Sequence, residues 1–232
     1  MWNGKYKAIT FSFDDGVTQD VKAIEILNKY GLKATFNINS SLLGLPGKLG
    51  KGENIINHNK IKASMVKEVY KGHEVAVHTL THPNLTTLDE ETIIRQVEED
   101  RLKLSELCGY EVVGMAYPCG GVNNDERVAK IIKENTGVKY SRTITSTYNF
   151  NLQDNLHRFN PTIYYIEDNL FELADKFIHL KNNAPQILYI WGHTYEMDNP
   201  DLSITWEKFD ELCNMIGRHK DVFYGTNKEV LL

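Results

Sequence analysis

The feature that most constrains this chain is an alternation. Short apolar, β-branched runs exchange with helical periodicity about every 30 residues, the length of one strand-helix-strand unit. Strand patterns fall at 8–13, 33–39, 73–79, 112–117, 139–144 and 186–191, with shorter ones at 162–166 and 222–224. Val21, Ile24, Leu27 and Tyr30 recur at helical spacing, and Gly31 can close that helix as a left-handed cap. Met65, Val66, Val69 and Tyr70 predict a second helical face. Thr87 and Glu90 have the spacing of a capping box for a helix running to about Cys108, and Asn123 is placed to cap another through Glu134. Helices are also expected at 169–180 and 203–218, and the polar stretch 40–59 reads as a long surface loop. Parallel strands need long crossovers, and right-handed crossovers curl such units toward closure. The expectation is one α/β domain over 1–232, a distorted (β/α) barrel of seven or eight strands.

In such barrels the C-terminal strand ends carry the chemistry, and Asp14, Asp15, His78, His82, Cys119, Arg142 and His193 all fall at or just beyond predicted strand ends. Asp14 and Asp15 follow the apolar run Phe11-Ser12-Phe13, where two adjacent carboxylates are costly without positive charge or a proton; a cation satisfies them, and an ordinary Asp-Gly turn is the plainer alternative. His78 and His82 stand four residues apart after a predicted buried strand, so both imidazoles can reach one metal, although such a pair also occurs in packing or at a surface. One carboxylate and two imidazoles leave coordination positions open for water, the arrangement of metal-assisted hydrolysis. His193 ends the apolar strand 187–191 and is either an acid-base group or a satisfied core histidine.

Phe11-Ser12-Phe13-Asp14-Asp15-Gly16 resembles the Thr-Phe-Asp-Asp-Gly motif of the polysaccharide deacetylases (carbohydrate esterase family four), and His78-Thr79 with His82 resembles their His-Ser/Thr-x-x-His motif. The resemblance implies a distorted barrel and a divalent metal, commonly zinc, held by Asp15, His78 and His82, with Asp14 as general base toward the attacking water. Ala116-Tyr117-Pro118-Cys119-Gly120 is similar to the family's Arg-x-Pro-Tyr-Gly motif, which gives the Cys119 backbone N–H to the oxyanion. Ala116 occupies the position of the arginine that orients the base. Arg142 is the candidate replacement, with an ordinary surface arginine as the alternative and Arg158 as a second choice. Residues 187–193 resemble the closing Leu-x-Leu-His motif, in which the histidine, here His193, is the general acid. The aspartate-tryptophan motif that tunes it in many relatives has no clear counterpart. Trp191 fits core packing and Tyr195 a sugar contact, while His58, His73, His157, His179 and His219 match no motif. A Cys119 nucleophile served by His193 would leave Asp15, His78 and His82 unexplained.

The net charge of -5 arises from acidic and basic residues mixed along the chain, without a lysine-arginine block for a phosphate backbone, so nucleic acid is not an expected partner. The N-terminus offers no apolar stretch of spanning or signal length, and three scattered cysteines make no zinc or disulfide framework; a cytoplasmic protein without a membrane partner is the expectation. The leading expectation is a metal-dependent hydrolase that takes N-acetyl groups from a sugar or oligosaccharide, with an O-acetyl ester less favoured. Hydrolysis of a small non-sugar amide and a catalytically lapsed carbohydrate-binding protein are the alternatives.

Overall fold

The computed structural model describes residues 2–52, 54–181 and 183–232. Its strands are β1 Lys7–Asp14, β2 Ala34–Ile38, β3 Lys48–Leu49, β4 Ile56–Asn57, β5 Glu74–Val77, β6 Gly114–Ala116, β7 Tyr140–Arg142, β8 Ile163–Tyr164, β9 Gln186–Gly192 and β10 Val222–Tyr224. Eight of them form one parallel sheet in the order β7-β6-β5-β2-β1-β9-β8, and β10 pairs with β1. One edge of β1 is shared: Lys7, Ala8 and Ile9 pair with β10, whereas Phe11 to Asp14 pair with β2. The sheet curls until Phe159, just before β8, bridges Arg142 of β7. The result is the expected distorted (β/α) barrel.

Side-chain alternation along each strand decides what faces the barrel interior. In β1, Ile9, Phe11 and Phe13 join the large apolar core beneath the helices. Thr10, Ser12 and Asp14 are equally buried but point to the other face, where they meet Asn227, Arg142 and Asn37. In β2 Phe36 and Ile38 pack outward while Thr35 and Asn37 hydrogen-bond inward. The barrel interior therefore holds a hydrogen-bonded polar network beside a small apolar cluster of Ala8, Phe159, Ile187, Tyr189 and Val230, and its upper end is where the site residues emerge.

The helices are α1 Asp20–Lys29, α2 Val66–Val69, α3 Glu90–Ile94, α4 Asp100–Cys108, α5 Glu126–Asn135, α6 Leu170–His179, α7 Trp206–Ile216 and α8 Asn227–Leu231. Several differ from expectation for local reasons. Asp89, not Thr87, caps α3, accepting the Thr92 N–H at 2.8 Å, and Asp125, not Asn123, caps α5 through Val128. A carboxylate next to the first turn is both an acceptor and a favourable charge at the helix N-terminus. Asn123 instead donates to the carbonyls of Tyr117 and Cys119. The helix expected from 87 to 108 is broken by a π-type turn, Arg95–Glu99. Part of the expected loop 40–59 is the antiparallel β3–β4 hairpin. The short α8, unforeseen after the last strand, lets Asn227 accept from Thr10 and donate to Ser12 inside the barrel. Among the described residues, no helix is long and apolar enough to cross a membrane.

Candidate metal and acid-base site

Asp14 ends β1 with its side chain already inward. Asp15 should face the opposite way, but its φ of +85° breaks the alternation and brings the second carboxylate to the same site. Thr79, His82 and Cys119 also have positive φ, so four of the seven such non-glycine positions among the described residues border the site. Strain of this kind persists where the surroundings over-determine it. Here the π-type turn contributes: the Gln96 carbonyl accepts the Leu80 N–H at 3.0 Å, and its side chain accepts the Thr81 N–H at 3.1 Å and donates to the Thr81 hydroxyl. Asp100 accepts the His78 N–H from below.

One ligand atom each from Asp15, His78 and His82 lies within 4.8 Å of the others. The His82 Nε2 to Asp15 Oδ1 distance is 3.7 Å and the His78 Nε2 to Asp15 Oδ1 distance is 4.0 Å. His78 is buried and its Nδ1 lies 2.9 Å from the Ala116 carbonyl, an acceptor only, so Nδ1 carries the proton and the Nε2 lone pair faces Asp15. Burial pushes His78 down to about 4 and lowers His82 too, keeping both imidazoles neutral. Burial opposes ionisation of Asp15, but the hydrogen bond from His58 and the charge of Lys60 outweigh it and hold the carboxyl well below its usual range. Two neutral imidazoles and one carboxylate make a donor set suited to zinc or a similar divalent cation.

Arg142, at the end of β7, lies against Asp14. Its Nη2 donates to both carboxylate oxygens, at 2.5 Å to Oδ1, and Nε donates to Ser12 at 3.2 Å. Asn37 adds a 2.8 Å bond to Oδ1. Burial would raise the Asp14 carboxyl, but Arg142 first, and then His78 and His193, outweigh it, so it is lowered. Trp191 is buried and stacks under the guanidinium with 4.4 Å between the Arg142 Cζ and the ring centre, which is packing with an electrostatic component. Arg158 is elsewhere, paired with Glu126 and Asn124.

His193 follows β9. Its Nδ1 is 3.3 Å from Glu196 Oε2, its N–H donates to the same oxygen at 3.1 Å, and its carbonyl accepts from the Tyr165 hydroxyl. Tyr164 donates to the other Glu196 oxygen. Burial alone would lower His193, but Glu196 and then Asp15 and Asp14 hold it up at about 9. Gly192 permits this packing, since a Cβ there would meet the Tyr165 ring at 2.2 Å. The Tyr195 ring lies 5.1 Å from His193 and 4.9 Å from His58. Cys119 presents Sγ 3.8 Å from His82 Nδ1, and among the described residues its backbone N–H has no protein acceptor.

Four participants were not expected from sequence. Glu196 partners His193 from three residues along, a spacing visible in His193-Thr194-Tyr195-Glu196 but matching no motif. His58 comes from the region read as a loop and Lys60 from just beyond it, where no periodicity marks either. The fourth is Tyr164, whose hydroxyl donates to Glu196 and lies 3.4 Å from His193 Nδ1.

Comparison with known proteins identifies the family and the fold. A peptidoglycan-N-acetylglucosamine deacetylase of Listeria monocytogenes is 28% identical over 120 residues, covering 50% of this chain and 22% of that protein. A chitooligosaccharide deacetylase of Rhizobium leguminosarum bv. trifolii is 30% identical over 120 residues, 50% of this chain and 48% of its own length. The chain thus spans less than half of either relative. Among solved structures, an acetyl xylan esterase of family 4 from Clostridium thermocellum, with a cobalt ion, superposes with a TM-score of 0.59 at 14% identity over 96% of this chain and 89% of that one. A family 4 pseudoenzyme from Bacillus anthracis gives 0.59 at 20% identity over 100% of this chain and 67% of that one, and both likenesses establish the fold. The polysaccharide deacetylase family model matches residues 3–140, more than half of the sequence and including both the Asp14-Asp15 and His78-His82 segments. This chain belongs to the polysaccharide deacetylase family.

Proposed function

We propose that the protein is a metal-dependent deacetylase acting on N-acetylated sugar units. The observation that carries the reading is convergence: Asp15, His78 and His82 offer a three-donor cluster directly beside an Asp14 carboxylate paired with Arg142. Asp15, His78 and His82 would hold a divalent cation, zinc fitting the donor set, which would supply Lewis acidity toward a carbonyl and a water.

The chain's own residues supply the rest. Asp14 is ionised at neutral pH, and its Oδ2 lies 4.0 Å from His78 Nε2 on the ligand side, so Oδ2 receives the proton of the attacking water. Arg142 and Asn37 fix that carboxylate against rotation. The free Cys119 N–H stabilises the oxyanion that develops on the acetyl carbonyl. His193, held protonated by Glu196, delivers a proton to the departing amine nitrogen, which otherwise leaves poorly. Tyr195 offers its ring beside the acid to a sugar face.

A catalytically lapsed binder is disfavoured because base, acid, ligand set and both charge partners are all retained. The relatives named as acting on peptidoglycan and chitooligosaccharide favour a carbohydrate over a small amide. The direct test is acetate release from acetylated chitooligosaccharides and from small N-acetyl amides, with Zn2+ or Co2+ supplied. Deacetylated oligosaccharide, absent with Asp14→Asn, is expected. Turnover only of small amides would replace the sugar reading, and no turnover of any acetylated substrate would overturn it.

A further inference from the structure

The β3–β4 hairpin returns through residues 57–61, and this return strand is held on both sides. Toward the Asp-Asp-Gly turn, Lys60 bridges Val17 antiparallel, the Thr18 N–H donates to Asn59 at 2.8 Å and the Ile61 N–H donates to Gly16 at 2.9 Å. On its outer side, the His58 N–H donates to Gly47 at 2.8 Å and the Lys60 N–H donates to Leu45 at 3.0 Å. Two side chains from this strand then close on one residue. His58 Nε2 lies 3.1 Å from Asp15 Oδ2, the carboxylate oxygen opposite the one nearest His78 and His82. The buried Lys60 Nζ donates to the Asp15 carbonyl at 2.7 Å and lies 3.4 Å from Oδ1. Asp15 is the residue whose positive φ must be maintained for its carboxylate to enter the site.

From this geometry we infer that His58 and Lys60 are positioning residues that fix Asp15 as a metal ligand, an inference that rests on the metal reading above. Lys60 locks the backbone turn through the carbonyl. His58 donates to the outer oxygen and leaves Oδ1 for the cation, setting the rotation of the carboxylate. Outer-shell partners of this kind typically change metal affinity by about 10–100-fold when removed. The hairpin is therefore part of the metal centre and not a peripheral loop, and the imidazole of His58, 4.9 Å from Tyr195, also links the ligand side of the cleft to the acid side.

The test is Co2+ titration of the full chain by chelator competition, with the visible absorption spectrum of the bound Co2+ as a second readout. His58→Ala is expected to weaken Co2+ about 10–100-fold and to alter the spectrum, while His58→Gln, which keeps an N–H for Oδ2, recovers affinity and spectrum. Lys60→Met tests the backbone contact, and unchanged circular dichroism of the His58 variants guards against misfolding. Wild-type affinity and spectrum in His58→Ala, with binding lost in Asp15→Ala, would overturn the inference and leave the metal reading standing. Failure of the wild-type protein itself to bind Co2+ would overturn both.

Discussion

Arg142 Nη2 reaches both oxygens of Asp14 across the barrel interior, joining strands that are separated by three others along the sheet. Both side chains are essentially inaccessible to water, at 0% and 2% exposure, so neither charge has solvent to fall back on. Removing one partner strands the other. Arg142→Ala is therefore expected to destabilise the fold by about 3–5 kcal/mol in urea melts, and Arg142→Met with Asp14→Asn by less. A double variant as unstable as the single one would show that burial of charge is not the cause. In activity, Arg142→Lys loses the planar fork, so the Asp14 carboxyl rises and the acidic limb of the pH-rate profile moves to higher pH. The stability sign follows. Asp14 is depressed in the folded state, so its contribution is present above its ordinary value near 3.8 and lost as pH falls through the folded value.

The acid side of the site titrates in the opposite sense. His193 is held at about 9, chiefly by Glu196 against its burial, so the proposed acid is protonated at neutral pH and is lost as pH rises through that value. Its contribution to stability is likewise complete below an ordinary histidine value of about 6.5 and lost on the way through 9. Glu196→Gln is expected to move the alkaline limb of the pH-rate profile to lower pH with little change in the acidic limb. An unmoved alkaline limb would remove Glu196 from this role.

Metal removal gives a third expectation. Ligand binding to the folded state raises its stability, by about 2.7 kcal/mol at a free concentration one hundred times the Kd. Zn2+ added to chelated wild-type protein is expected to raise Tm and restore acetate release. His82→Ala should show neither response, since it deletes one of the three donors while leaving the buried His78 and its Ala116 contact in place. An undiminished Zn2+ shift in His82→Ala would exclude that residue as a ligand.

Much of this arrangement was legible in sequence because parallel strands write their ends plainly. An apolar run that stops at a polar residue marks a strand terminus, and Asp14, His78, Arg142 and His193 all stand there. Hairpin contacts are different. His58 and Lys60 reach Asp15 from more than 40 positions away through a return strand with no hydrophobic period, so nothing local announces them. The break in the 87–108 helix was equally hidden, because a π-type turn inserts within an otherwise helical pattern and is justified only by the Gln96 contacts to the histidine loop. Helix starts were misplaced where two capping residues competed within a few positions, and Asp prevailed over Thr at 89 and over Asn at 125.

The position of the arginine yields the last expectation. Ala116 and Arg142 are direct partners in the parallel pairing of β6 and β7, one strand spacing apart, about 4.8 Å. An arginine on either strand therefore has the reach to serve one carboxylate at the barrel's upper end. Ala116→Arg alone places two guanidinium groups against a single Asp14 in a fully buried site, which is expected to cost stability through overpacking of roughly 1–3 kcal/mol and through unpaired charge. Ala116→Arg combined with Arg142→Ala moves the cation one strand over and is expected to recover much of the activity lost in Arg142→Ala, together with the position of its acidic limb. Recovery measures whether Asp14 requires a guanidinium at that height or the particular strand that carries it. If the exchanged variant folds yet keeps the shifted acidic limb of Arg142→Ala, the Ser12 and Trp191 contacts unique to position 142 are also required to aim the guanidinium at Asp14.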